Sequence, residues 1–77
     1  MNKEDIIGML QTFHEHYDNI RIGLSPPMMV TIKCIKEEDP IGYESFKTDC
    51  KDFCSSNPED CTLVDEKIMT TMFIKRT

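Results

Sequence analysis

Apolar residues recur at a helical period near the start of the chain. Ile6, Leu10, Phe13 and Tyr17 are spaced four, three and four apart, with Ile7 and His14 flanking the stripe. This spacing predicts an amphipathic helix from about Lys3 to Asp18 with one buried face. Asn2 can cap it by accepting the amide of Asp5, and Glu4 and Asp5 suit the positive end of the helix dipole. From Asn19 the period shortens to two. Ile20, Ile22 and Leu24 alternate with Arg21 and Gly23, the pattern of a half-buried strand. Ser25-Pro26-Pro27 breaks it, because neither proline can donate to a strand ladder. Met28 to Lys36 then reads as a nearly continuous apolar, β-branched run, which predicts a central strand.

Glu37-Glu38-Asp39-Pro40 combines a turn with a helix start, Asp39 as cap and Pro40 at the first helical position. Tyr43, Phe46, Cys50, Phe53 and Cys54 fall on one face of the helix that follows, which should end near Ser55, ahead of Ser56-Asn57-Pro58. From Cys61 to Lys75 threonine, isoleucine and phenylalanine favour strand, with a hairpin available through Asp65-Glu66-Lys67 and a short extra strand near Leu63. Met69 and Met72 have opposite strand parity, so one of them should face away from the helices. The order is α-β-β-α-β. Two helices with one apolar face each must lie on a sheet to bury it. The expectation is a small two-layer α+β sandwich, a single domain spanning 1–77. Both helices should cover one face of a mostly antiparallel sheet of three or four strands.

Composition narrows the function classes. At 77 residues the chain is too short for two cores or a doubly wound nucleotide-binding sheet. No apolar run reaches the roughly 18 residues that a membrane span needs, and the acidic start is unlike a secretory signal. Gly8, Gly23 and Gly42 are isolated, so no glycine-rich phosphate cradle exists. The element order is similar to KH-type nucleic-acid-binding folds, but their Gly-x-x-Gly loop is missing.

Charge is the strongest functional signal. The net charge is −5, yet residues 37–66 hold ten acids against only Lys47 and Lys51. Such a surface repels a phosphate backbone and attracts a basic partner. Glu37, Glu38, Asp39, Glu44, Asp49, Asp52, Glu59 and Asp60 are the candidate partner-binding residues.

Cysteine and histidine supply the other candidate chemistry. Four cysteines with no secretory signal and no disulfide-scaffold spacing point to a reducing cytoplasm. Cys50 and Cys54 stack at i and i+4, and Cys61 can return to them. With Cys34 or a histidine they could complete a tetrahedral zinc site, and Cys54 and Cys61 could instead pair as a disulfide. The place of Cys50 and Cys54 on the apolar stripe with Tyr43, Phe46 and Phe53 favours small core hydrophobes over either. His14 and His16 point about 200° apart on a helix and cannot share an ion. One of them should sit at the core margin and the other in solvent.

These readings predict a non-enzymatic, cytoplasmic interaction or regulatory protein without a cofactor. It binds a basic protein partner, without direct nucleic-acid or membrane contact. One version, by analogy with small phage and viral regulators, inhibits its partner by occupying a nucleic-acid-binding surface. A homodimer through the sheet face or edge is a second use of the same fold. The alternative function is a zinc or redox module built on Cys50, Cys54 and Cys61.

Overall fold

The computed structural model describes residues 1–25 and 29–76. The elements are α1 (Lys3–His16), β1 (Ile20–Ser25), β2 (Met29–Ile35), α2 (Tyr43–Ser56), β3 (Cys61–Asp65) and β4 (Met69–Lys75). The fold is the expected small α+β arrangement, with a four-stranded, wholly antiparallel sheet. The sheet order is β1-β2-β4-β3, so the final strand inserts between β2 and β3. Of the two arrangements open for Cys61 to Lys75, one strand or a hairpin, the chain adopts the hairpin; β3 and β4 pair from Cys61↔Ile74 to Asp65↔Thr70. Pro26, Pro27 and Met28, the expected proline break and strand start, lie outside the described residues.

Strand parity divides the sheet cleanly. Val30, Ile32 and Cys34 of β2, with Thr70, Met72 and Ile74 of β4, face the helices and are buried. Met29, Thr31, Lys33, Ile35, Met69, Thr71 and Phe73 form the opposite face. Met72 is therefore a core residue, and Met69 looks away from the helices.

The helices close the core from one side. Ile6, Met9, Phe13 and Tyr17 come from α1 and its C-cap, and Tyr43, Phe46 and Cys50 from α2. The α1 stripe differs from expectation in one position. Met9 is buried, and Leu10 packs at the margin. Asn2 caps α1 as predicted, its side chain accepting from the Asp5 amide at 2.9 Å.

The start of α2 departs from the sequence reading. The helix begins at Tyr43, with Gly42 as N-cap, and residues 36–42 form turns. Asp39 still accepts a hydrogen bond from the amide three residues on, at Gly42 (2.9 Å), as a cap would. That bond folds the Asp39 carboxylate into the turn. A Cβ on residue 42 would lie 2.6 Å from Asp39 Oδ2, so a larger residue there would push the Asp39 carboxylate out of this position. The turn displaces the helix start by three residues.

Polar groups inside the core are paired. The Tyr43 hydroxyl lies 2.9 Å from Thr70 Oγ1, and Thr70 donates to Asp65 at 3.0 Å. Among the described residues no buried side-chain nitrogen or oxygen lacks a hydrogen-bond partner.

Phe46 is 0% exposed at the centre of this core, whereas Leu24 on β1 is 85% exposed. Phe46→Ala should therefore cost about 3–5 kcal/mol of unfolding free energy, and Leu24→Ala under about 0.5 kcal/mol. Denaturant unfolding of both variants measures the contrast. Equal costs at the two positions would contradict this packing.

Candidate functional site

The two helices meet along aromatic rings. Phe13 and Tyr17 both pack edge-on against Phe46, with ring centroids 5.7 and 5.6 Å apart. The bulk of these rings keeps the helix backbones apart and leaves a groove above them. Thr12, Phe13, His16 and Tyr17 form one wall and Asp49, Asp52, Phe53 and Ser56 the other, enclosing about 360 Å³. A second hollow of about 450 Å³ adjoins it, sharing His16 and Tyr17 and adding Asp18, Asp39, Ile41, Gly42 and Ser45. The pair forms one concave strip from the middle of α1 to the turn before α2.

Its electrostatics are one-sided. Asp18, Asp39, Asp49 and Asp52 line the strip, and among the described residues no Lys or Arg does. The Tyr17 hydroxyl donates to Asp49, which fixes that carboxylate at the base of the groove. Burial, followed by the Asp49 hydrogen bond and charge, pushes the Tyr17 phenol well above its ordinary value. Asp52, one helical turn further along α2, is exposed and takes part in no ion pair among the described residues. At the rim Ile41 is 94% exposed.

The eight acids singled out from the sequence occupy different situations. Asp49 and Asp52 line the first hollow and Asp39 the second. Glu38 forms an ion pair with Arg21 of β1, which holds its carboxyl below the usual range. Asp60 receives the N-terminal ammonium at 3.2 Å. Glu44 lies 3.8 Å from Lys47, whose ammonium also reaches Asp65 at 3.5 Å. Glu37 and Glu59 are exposed in turns. Three of the eight acids thus line the helix groove, Asp49 bonded to Tyr17, Asp39 to the Gly42 amide, and Asp52 exposed. Sequence reasoning missed Tyr17, Phe53, Asp18 and Ile41 as members of this strip. The Tyr17–Asp49 pair spans 32 residues, a separation that periodicity does not read.

The opposite side of the molecule carries the other sign. Of the charged strand residues, Arg21, Lys33 and Lys75 project from the uncovered sheet face, and Asp65 alone shares the helix side. The charge contrast along the chain becomes a contrast between two layers.

His14 and His16 are both exposed, which corrects the expectation of one at the core margin. The stripe turns inward at Phe13 and Tyr17, leaving residue 14 outside it. His16 packs edge-on to Tyr17 at 6.3 Å and belongs to the groove wall.

All four cysteines are free, and Cys34, Cys50 and Cys61 are buried. Among the described residues no group of three or more His, Cys, Asp or Glu side chains is arranged to hold a metal ion. Burial raises every thiol; Cys61 is pushed up to about 12. No helix among the described residues is long and apolar enough to cross a membrane. No protein-family model matches the chain, and comparisons with curated proteins and with solved structures give no match.

A pH prediction follows from the raised groups. Their stabilising contribution is full below the unfolded values, roughly 8.5 for a thiol and 10 for a phenol, and declines as pH rises through the folded ones. The denaturant midpoint should fall once pH exceeds about 9. In an absorbance titration Tyr17 should ionise above the ordinary phenol range, and Asp49→Asn should lower its midpoint. Unchanged Tyr17 titration in that variant would remove Asp49 as a cause.

Proposed function

We propose that the protein is a small, non-enzymatic, cytoplasmic binding module that captures a basic protein partner in the groove between α1 and α2. The observation that carries this reading is the composition of the groove. It has an aromatic floor from Phe13, Tyr17 and Phe53, carboxylates from Asp49 and Asp52, and no lining Lys or Arg among the described residues. A guanidinium group suits such a place, because its flat face stacks on rings and its edge pairs with carboxylates. Asp18 and Asp39 extend the acidic track for a second basic side chain, and Ile41 offers an apolar contact at the rim.

In this reading the acids steer the partner and the rings hold it. Long-range attraction raises the encounter rate, while stacking in a partly desolvated groove slows release. A partner that uses the same arginines to grip nucleic acid would lose that grip while bound. The protein would then be an inhibitor that acts by occupation. The uncovered sheet face, with its basic residues, gives the module a second surface on which copies could associate.

The test uses an arginine-rich peptide and amide chemical-shift mapping of the isotopically labelled protein. Shifts should concentrate at Tyr17, Asp49, Asp52 and Phe53, and affinity should fall steeply from roughly 0.05 to 0.3 M salt. Asp52→Lys should weaken binding about fivefold or more, while Lys75→Ala should leave it unchanged. Asp52 is preferred to Asp49 as the probe, because reversing Asp49 also breaks its bond with Tyr17. Shifts spread evenly over all acidic residues, or affinity indifferent to salt, would overturn the assignment.

A further inference from the structure

Three cysteines meet where α2 ends and β3 begins. Cys54 lies in the last turn of α2, Cys50 one turn earlier, and Cys61 is the first residue of β3. The connection between them is held by its own backbone. The Asn57 amide donates to Phe53 (3.1 Å) and Cys54 (3.2 Å), and the Cys61 amide donates to the Asn57 carbonyl at 3.0 Å. The Asn57 side chain adds a bond to the Phe53 carbonyl at 3.0 Å. This turn folds the start of β3 back onto the end of the helix, and the Cys61 thiol donates to the Cys54 sulfur.

We infer that Cys54 and Cys61 form a reversible dithiol–disulfide pair, with Cys54 as the attacking sulfur and Cys61 as the resolving one. The assignment of roles follows from exposure. Cys54 is half-buried and reachable from solvent, whereas Cys61 is buried and Cys50 is sealed in the core. The donated S–H from Cys61 favours the thiolate of Cys54, which partly opposes the effect of burial. Only six residues separate the two cysteines, and the hydrogen-bonded turn brings the start of β3 back beside the last turn of α2, so that the two thiols interact. A short approach brings them to the bond length of about 2.05 Å.

The oxidant is a low-molecular-weight disulfide such as oxidised glutathione. The Cys54 thiolate attacks one of its sulfurs, and one glutathione thiolate leaves. Cys61 gives up its proton to solvent and attacks the Cys54 sulfur, expelling the second glutathione thiolate. Two protein thiols are oxidised, and one glutathione disulfide is reduced to two thiols. The product bond ties the last turn of α2 to the edge strand β3.

Tryptic mapping reads the result directly, since cleavage after Lys51 and Lys67 leaves both cysteines in one peptide, residues 52–67. Cys50 and Cys34 fall in separate peptides. The folded, reduced protein is incubated with oxidised glutathione, then unfolded and alkylated before digestion. The 52–67 peptide should appear unalkylated and about 2 Da lighter than its dithiol form, while Cys34 and Cys50 are alkylated. The rate of closure should rise about tenfold per pH unit below the Cys54 value. Glutathione retained on Cys54, a bond to Cys50, or full alkylation of all four thiols would each overturn the pairing. An oxidised protein with a lower denaturant midpoint than the reduced one would also count against it. The unmodified chain carries the main readout, so no variant needs to fold. Cys54→Ala serves as the control, and it should abolish the 2 Da loss.

Discussion

The contact between Phe46 and the rings of Phe13 and Tyr17 sets the spacing of the whole helical layer. Phe46 is 0% exposed, projecting from α2 into the angle between α1 and the sheet. Edge-to-face packing favours centroid separations of about 4.5–7 Å, and both of its ring contacts fall inside that range. Smaller side chains would let the helices close on one another. With aromatic rings between them they stand apart, and their facing sides become walls. The groove is thus a consequence of core packing, and its floor includes Phe13 and Tyr17, rings that also fill the core.

Electrostatics then decide what the groove can accept. A small α+β layer has one covered and one uncovered sheet face, and strand parity assigns each charged residue to one of them. The basic residues of the strands fall on the uncovered face, while Asp39, Asp49 and Asp52 line the hollows beside α1. Several acids are already neutralised within the fold, Glu38 by Arg21 and Asp60 by the N-terminal ammonium among them. Along the aromatic strip Asp18, Asp39, Asp49 and Asp52 take part in no ion pair among the described residues. The net charge of −5 describes this poorly, because Lys33 and Lys75 lie on the opposite face from these acids.

Much of the architecture was legible in the sequence because it depends on local period. The stripe Ile6, Phe13, Tyr17 and the stripe Tyr43, Phe46, Cys50 identified the buried helix faces. The opposite parity of Met69 and Met72 correctly put one on each side of β4. The start of α2 was misplaced because Asp39 and Pro40 satisfy the local rules for a helix start. The competing bond from the Gly42 amide keeps them in a turn. Strand order was not legible, since no local signal says that β4 inserts between β2 and β3. The groove was hidden for a related reason. Asp49 and Asp52 were identifiable as acids, but their juxtaposition with Tyr17 and His16 arises only when the helices pack.

The last turn of α2 joins the two proposed activities physically. Phe53 and Ser56 line the groove, and Cys54 lies between them in the chain with its sulfur turned toward Cys61. A bond at residue 54 therefore acts on a turn whose neighbouring side chains form one end of the groove wall. The Asn57 bonds to the Phe53 carbonyl, from both amide and side chain, make this turn a single hydrogen-bonded unit with the start of β3. Such a unit holds Phe53 in position while the thiols are free, and the proposed bond would further limit local opening of the helix end. The consequence for binding is one of order rather than shape. Tethering the helix end leaves the carboxylates of Asp49 and Asp52 in place and reduces the freedom that a partner would otherwise have to remove on docking.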